Sequence, residues 1–253
     1  MLELCIILMA GGVTLLLIML YEARRNVVKI EKVKLPGFPD HMQPVTIFFI
    51  SDIHKREISD EIIEEVKGRA DFVIIGGDLL EKGVPFSRVE GNLDKLQSLG
   101  KVYFVWGNND YEVNTTRLKE IFIEKGIIEI VNTSVKVPLQ NGMMNLIGVD
   151  DASTQRANYP LALDQASPDE FNVLVSHDPR LLNQVCKEDG IDLMISGHTH
   201  GGQIRLFGWG LYKKGRLENL PETTLLVSNG YGTTAIPLRL GAPAETHLLI
   251  LDK

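Results

Sequence analysis

The stretch VTIFFISDIH, residues 45–54, sets six apolar or β-branched residues directly ahead of a serine, an aspartate and a histidine. A short apolar run with polar residues at its end reads as a strand buried on both faces, here Val45–Ile50. Asp52 and His54 then lie on the turn that follows it. The same arrangement recurs in FVIIGGD (72–78), VYFVWGNND (102–110), FNVLVSHD (171–178) and LMISGHTH (193–200), with strands expected at Phe72–Ile75, Val102–Trp106, Phe171–Val175 and Leu193–Ile195. Helical patterns alternate with them. Asp60–Gly68 is one, and Phe86–Leu99, opened by Pro85, is another. A third, Thr115–Lys125, is capped by Asn114 and stopped by Gly126, and Pro179–Lys187 is a fourth. This alternation is the mark of an α/β fold. Ser134–Leu139 and Met143–Val149, joined through Gln140, Asn141 and Gly142, read as a hairpin, so a second or a mixed sheet is required. Thr223–Val227 and Glu245–Leu251 are the closing strands.

In open α/β sheets the ligand site lies beyond the carboxyl ends of the strands. Those positions carry Asp52, His54, Asp78, Asn108, Asn109, Asp110, His177, His198 and His200. Four of the six histidines in the chain fall there. Carboxylates, imidazoles and an amide oxygen suit Mn, Fe or Zn, and the absence of thiolates disfavours a softer site. Seven such ligands, Asp52, His54, Asp78, Asn108, His177, His198 and His200, are too many for one tetrahedral ion. They fit two divalent ions sharing a carboxylate. Asp110, beside the ligand turn, can orient a ligand. Arg205, Lys213, Lys214 and Arg216 follow the GHTH turn and could meet a phosphate. His41 and His247 read as structural.

The chain of 253 residues carries a net charge of −7, which argues against a stable nucleic-acid partner. Cys5 and Cys186 are far apart and suggest neither a disulfide framework nor a zinc knuckle. The uncharged run Leu4–Tyr21 is long enough to span a bilayer. Glu3 precedes it and Glu22, Arg24, Arg25, Lys29, Lys32 and Lys34 follow, so an uncleaved single-pass anchor fits better than a signal peptide. The basic flank puts the folded part on the cytoplasmic side of the cell membrane.

The ordered motifs DIH, GGD, GNND, SHD and GHTH resemble those of the calcineurin-like metallophosphoesterase superfamily. GHTHGGQIRLF and LLVSNGYGTTAIPLRLGAPAETHLLIL are similar to its membrane-associated bacterial branch, and the likeness covers residues 43–252. It implies a four-layer α/β/β/α sandwich of two mixed sheets, preceded by one transmembrane helix. The chain then divides into an anchor (1–25), a linker and entry segment (26–42) and the metallophosphoesterase domain (43–253). It further implies that Asp52, His54 and His200 hold one ion, Asn108, His177 and His198 the other, and that Asp78 bridges them. The expected reaction is in-line attack of a metal-bridging hydroxide on a phosphodiester or pyrophosphate bond.

One position departs from the family pattern. Where most relatives have a histidine after GN, this chain has Asn109, and an amide is no general acid near neutral pH. Asn109 and Asp110 are therefore the residues expected to bear on catalysis beside the metals, with His41 or a substrate group as an alternative proton donor. A leaving group that departs unprotonated, as in a pyrophosphate linkage, suits this site. The anchor suggests a phosphorylated small molecule that is membrane-derived or lipid-linked. Two other readings are a nuclease or cyclic-nucleotide phosphodiesterase of the same superfamily, and a metal-binding scaffold weakened in catalysis.

Overall fold

The computed structural model describes residues 1–253 and contains two six-stranded sheets. In the first, β1 (Val28–Lys34) and β12 (Thr246–Asp252) run parallel, and β12 pairs antiparallel with β2 (Val45–Ile50). Beyond β2 lie β3 (Phe72–Gly76), β4 (Lys101–Val105) and the two-residue β5 (Ile128–Glu129), all parallel. In the second sheet the order is β10 (Arg216–Asn219), β11 (Thr224–Val227), β9 (Leu193–Ser196), β8 (Asn172–Ser176), β7 (Gly142–Val149) and β6 (Thr133–Leu139). The pairs at its two edges are antiparallel and its centre is parallel.

Strand alternation distributes the apolar residues between layers. On β2, Ile47 and Phe49 face Val173, Val175, Leu193 and Ile195 of the second sheet. Phe48 and Ile50 point the other way, onto α2 (Asp60–Val66), α3 (Phe86–Gln97) and α4 (Thr115–Lys125) through Ile62, Leu93 and Leu118. The outer face of the second sheet carries Ile147, Leu174 and Met194, covered by α5 (Tyr159–Leu163) and Leu181. The molecule is thus the expected four-layer α/β/β/α sandwich. Asn114 caps α4 by accepting from Arg117 N–H at 3.1 Å, and Gly126 ends that helix at φ 64°.

Most strand ends shift by one residue, and four segments differ further. The helix expected to reach Gly68 ends at Val66, and the one expected to reach Leu99 ends at Gln97. Pro179–Lys187 is not one α-helix but two 3-10 turns, Pro179–Gln184 and Lys187–Asp189, separated by extended backbone at Val185 and Cys186. The segment 26–42 is more than a linker, since Val28–Lys34 pairs along its whole length with β12.

Helix α1 (Leu2–Ala23) is exposed until its last turn, which is bound to the domain. Arg239 N–H donates to Met19 O at 3.1 Å, Ala244 N–H to Glu22 O at 3.0 Å, and Gly241 N–H to the Glu22 carboxylate at 2.7 Å. The Arg56 guanidinium lies 3.6 Å from the centre of the Tyr231 ring and donates to the carbonyls of Ala23, Arg24 and Arg25. These carbonyls are the ones a helix end leaves without partners.

Candidate metal centre

The carboxyl ends of β2, β3, β4, β8 and β9 converge at one edge of the sandwich. Asp52, His54 and His200 offer ligand atoms within 4.8 Å of one another, as do Asp52, Asp78 and His177. Oδ2 of Asp78 lies 3.6 Å from His54 Nε2 and 3.2 Å from His177 Nε2, between the two groups. Asn108, Asn109 and His198 line the same cavity of about 410 Å³ together with Asp78 and His200.

The turns that present these residues are strained. Asp52, His54, Asp78, His198 and His200 all have positive φ, between 49° and 67°. For residues other than glycine this conformation costs about 1–2 kcal/mol each, and such strain gathers at functional sites. Reciprocal bonds hold it in place. Asp52 N–H donates to Gly77 O at 3.0 Å, His54 N–H to Asp78 O at 3.1 Å, and His198 N–H to the Asp52 carboxylate at 3.1 Å. The approach at Gly107 is close enough that a Cβ there would stand 2.3 Å from Asp78 Oδ1.

The polar partners fix imidazole tautomers. Nδ1 of His177 is 2.8 Å from Gly76 O, an atom that only accepts, so Nδ1 carries a proton and Nε2, 3.2 Å from Asp78 Oδ2, is the nitrogen turned toward the centre. Nδ1 of His54 faces the Glu81 carboxylate at 3.0 Å, with the same consequence. His200 is set differently. Its Nδ1 lies 3.1 Å from Arg239 Nη2, which only donates, so Nε2 bears the proton toward Asp52 Oδ1 at 3.3 Å. Ligation through His200 Nε2 requires its proton to move to Nδ1, which gives up the bond from Arg239, and Arg239 retains carbonyl partners at Asn229, Gly232 and Ala242.

Burial works against ionised carboxylates here, yet His200 and His177 hold Asp52 below the usual range, and His177 and His54 do the same for Asp78. Both are anionic, as metal ligands must be. The hydrogen bond from His54 draws Glu81 down to about 2. Burial pushes Asp110 up to about 7, with Asp78 adding repulsion. Within the centre, the buried acceptor Asn108 Oδ1 has no donor in the protein. Lone pairs without donors, beside two carboxylates and imidazoles, fit divalent cations.

The other residues singled out in the sequence lie around this centre. Asp110 is fully buried, and its carboxylate accepts the N–H groups of Asp78, Gly107 and Leu80. It shapes the ligand turns rather than facing the cavity. Asn109 lines the cavity and binds Asp78 twice, through Nδ2 to Oδ2 at 2.6 Å and N–H to Oδ1 at 2.8 Å. The Arg205 donors are taken up by the carbonyls of Gly201, Gly208 and Tyr212, and Arg216 pairs with Glu218 at 2.6 Å. Lys213 and Lys214 are exposed outside the cavity. His41 sits against the Gly142 turn at the start of β7. That is the strand end away from the metals, about 23 Å distant at ~3.3 Å per residue, so His41 is no proton donor for this site. His247 is buried between Glu245, Glu31 and Ser228. Glu81 and Arg239 also belong to this centre, though neither lies at a strand end. Glu81 carries no distinguishing signal, whereas Arg239 is a lone cation in the apolar run IPLRLGAP, and that was the available clue.

A model of the family described as calcineurin-like phosphoesterase matches residues 45–202. The Bacillus subtilis (strain 168) protein YpbG is 45% identical over 220 residues, covering 86% of this chain and 83% of that one. The metallophosphoesterase YkoQ of the same organism is 30% identical, covering 94% of this chain and 97% of its own. Among solved structures, the phosphopantetheinyl hydrolase of Mycobacterium tuberculosis superposes with a TM-score of 0.51 at 13% identity, over 78% of this chain and 95% of that one, a likeness of fold.

Proposed function

Because the chain belongs to the calcineurin-like phosphoesterase family, and is a metal-dependent phosphoester hydrolase, we propose that it cleaves a phosphodiester or pyrophosphate bond in a membrane-derived or lipid-linked substrate. The observation that carries this reading is the mixed polar and apolar lining of the cavity. Its lining includes Asp78, Asn108, Asn109, His198 and His200 and also Ile204, Leu211, Tyr212, Ala235 and Ile236. A phosphoryl group attached to an apolar chain matches both.

Asp52, His54, Asp78, Asn108, His177, His198 and His200 would hold two ions, of Mn, Fe or Zn, which when bound supply Lewis acidity for phosphoryl transfer to water. Asn109, through its two bonds to Asp78, keeps that carboxylate turned between His54 and His177. Its amide has no proton to give a departing oxygen. Tyr212 is the one other titratable side chain lining the cavity apart from the ligands. A leaving group that needs no protonation, such as a phosphate released from an anhydride, is therefore favoured.

The basic residues after α1 support insertion of that helix with the domain on the cytoplasmic side. In a Cys5→Ser background, an impermeant maleimide applied to intact cells should leave the exposed Cys186 unlabelled. Labelling before permeabilisation would overturn the orientation. For the substrate, the full chain in a bilayer is assayed with Mn²⁺ on a long-chain alkyl pyrophosphate, a soluble nucleotide sugar and a dialkyl phosphodiester. The alkyl pyrophosphate should be cleaved fastest. Equal cleavage of the dialkyl ester sinks the leaving-group argument, and preference for the soluble sugar sinks the lipid.

A further inference from the structure

Residues 206–212, LFGWGLY, contain five apolar or aromatic residues and two glycines, and all five large side chains are exposed. The segment is an ordered hairpin. Leu206 and Trp209 exchange backbone hydrogen bonds at 2.9 Å, and the two residues between them, Phe207 and Gly208, both have positive φ, at 50° and 86°. That is the signature of a tight primed turn. The Arg205 side chain braces it from within by donating to the carbonyls of Gly201, Gly208 and Tyr212.

At the tip, Phe207 is 101% exposed, and Trp209 beside it is 84% exposed. A phenylalanine in the left-handed region is disfavoured by its own backbone, and here it makes no compensating contact with the protein. Folding therefore gives no reason for an aromatic residue at this position. Contact with something outside the chain does.

The position of the hairpin identifies that partner. Arg205 N–H donates to Leu240 O at 2.8 Å, and the adjacent Arg239 N–H donates to Met19 O of α1 at 3.1 Å. Met19 belongs to the uncharged run that ends at Tyr21, so the segment bonded to it lies level with the end of the apolar span. The hairpin is attached to that segment. Lys213 and Lys214 follow directly, exposed and without acidic partners, and their charge complements anionic head groups. On its inner side, Leu211 and Tyr212 line the metal cavity.

We propose that the Leu206–Tyr212 hairpin is a second membrane contact, which dips Phe207 and Trp209 into the interface of an anionic bilayer and holds the mouth of the metal cavity against it. Aromatic residues of this kind sit at the boundary between head groups and acyl chains. The inference rests on α1 spanning the same bilayer, and it gives the lipid-linked substrate its route. An acyl or polyprenyl tail stays in the membrane while the phosphoryl head enters between Leu211 and the ligands.

Trp209 provides the test, since the only other tryptophan, Trp106, is fully buried. The full chain is reconstituted in vesicles of equal parts phosphatidylcholine and phosphatidylglycerol, with acyl chains brominated near the head group. Bromolipid should quench Trp209, removing about half of the total emission and leaving the Trp209→Phe variant unaffected. Phe207→Ser should lessen the quenching while hydrolysis of a soluble aryl phosphodiester is unchanged, because Phe207 does not line the cavity. Quenching by aqueous iodide instead of bromolipid overturns the proposal. So does protection from both quenchers, which would mean that a second copy of the chain covers the hairpin. The measurement needs neither metal nor substrate, so a chain that is quenched but hydrolyses nothing refutes the proposed function and leaves the membrane contact standing.

Discussion

Replacing Asp110 separates its role as an organiser of the site from any direct chemical role. Its Oδ2 accepts both the Asp78 and the Gly107 N–H at 2.8 Å, and its Oδ1 accepts only the Leu80 N–H at 3.3 Å. Asp110→Ala leaves all three buried donors without an acceptor. At about 1–3 kcal/mol for each short bond, and about 1 for the long one, the loss is roughly 3–7 kcal/mol, a large part of the ~5–15 kcal/mol that stabilises an ordinary domain. Asp110→Asn can set its carbonyl oxygen at the Oδ2 position and keep both short bonds. It gives up only the Leu80 contact and removes repulsion with Asp78, so its cost is about 0–2 kcal/mol. Because the carboxylate of Asp110 is raised to about 7, the folded state holds a proton that the unfolded chain releases near the ordinary value of 3.8. Wild-type stability should therefore fall, relative to Asp110→Asn, as pH rises from about 4 to about 7. Urea denaturation of metal-free protein at several pH values measures both effects. An alanine variant within about 1 kcal/mol of wild type, or an asparagine variant as damaged as alanine, rules out this organising role of Asp110.

Other consequences can be checked in the same way. Glu81→Gln removes the charge that orients His54, and calorimetric titration with Mn²⁺ should show affinity lowered by about 10–100-fold, a typical cost of losing such a partner; unchanged affinity would exclude the role. In the metal-free chain, His198→Gly should be more stable than His198→Ala by about 1 kcal/mol, reversing the usual order, because φ at this position is 67°; thermal melts showing alanine the more stable would contradict the strain. Burial opposes a charge on His247, but Glu245 and Glu31 outweigh it and raise its pKa, while Glu245, despite burial, is held down to about 2 by His247 and Lys29. The folded state therefore binds the extra proton above the ordinary histidine value of 6.5, and stability should decline as pH rises from there through the folded value. At the acid end, the Glu245 contribution is lost as pH falls from 4.5 toward 2. His247→Asn should flatten the alkaline limb, and an unchanged slope in its melting curves would assign that limb elsewhere.

The strands that carry ligands were legible because each is a short apolar run closed by glycine or serine and a polar side chain. Periodicity and punctuation agree there, and β2 was read to the residue. Strand β1 was not recognised. In VKIEKVK the charged residues of an edge strand look like a solvated flank, and only pairing with β12, more than two hundred residues away, makes it part of the sheet. The short edge strands β5 and β10 were missed for the same reason. Within the site, ligand types could be read from turn positions, but their supports could not. Glu81 reaches His54, and Arg239 reaches His200 across 39 positions, through topology alone. The guanidinium of Arg205 is surrounded by carbonyls of its own loop. A sequence window shows a cation's charge but not its partners.

If the strand-end ligands form one hydrolytic metal centre organised on Asp78, metal binding and turnover both depend on that carboxylate. The most direct test is turnover of bis(p-nitrophenyl) phosphate by the full chain loaded with Mn²⁺, with metal content measured on the same samples, for wild type and Asp78→Ala. Two bound ions and steady hydrolysis are expected in wild type, with both lost in the variant. A wild-type chain that holds two ions and releases no nitrophenol, or a variant that keeps its metal and its rate, would contradict such a centre.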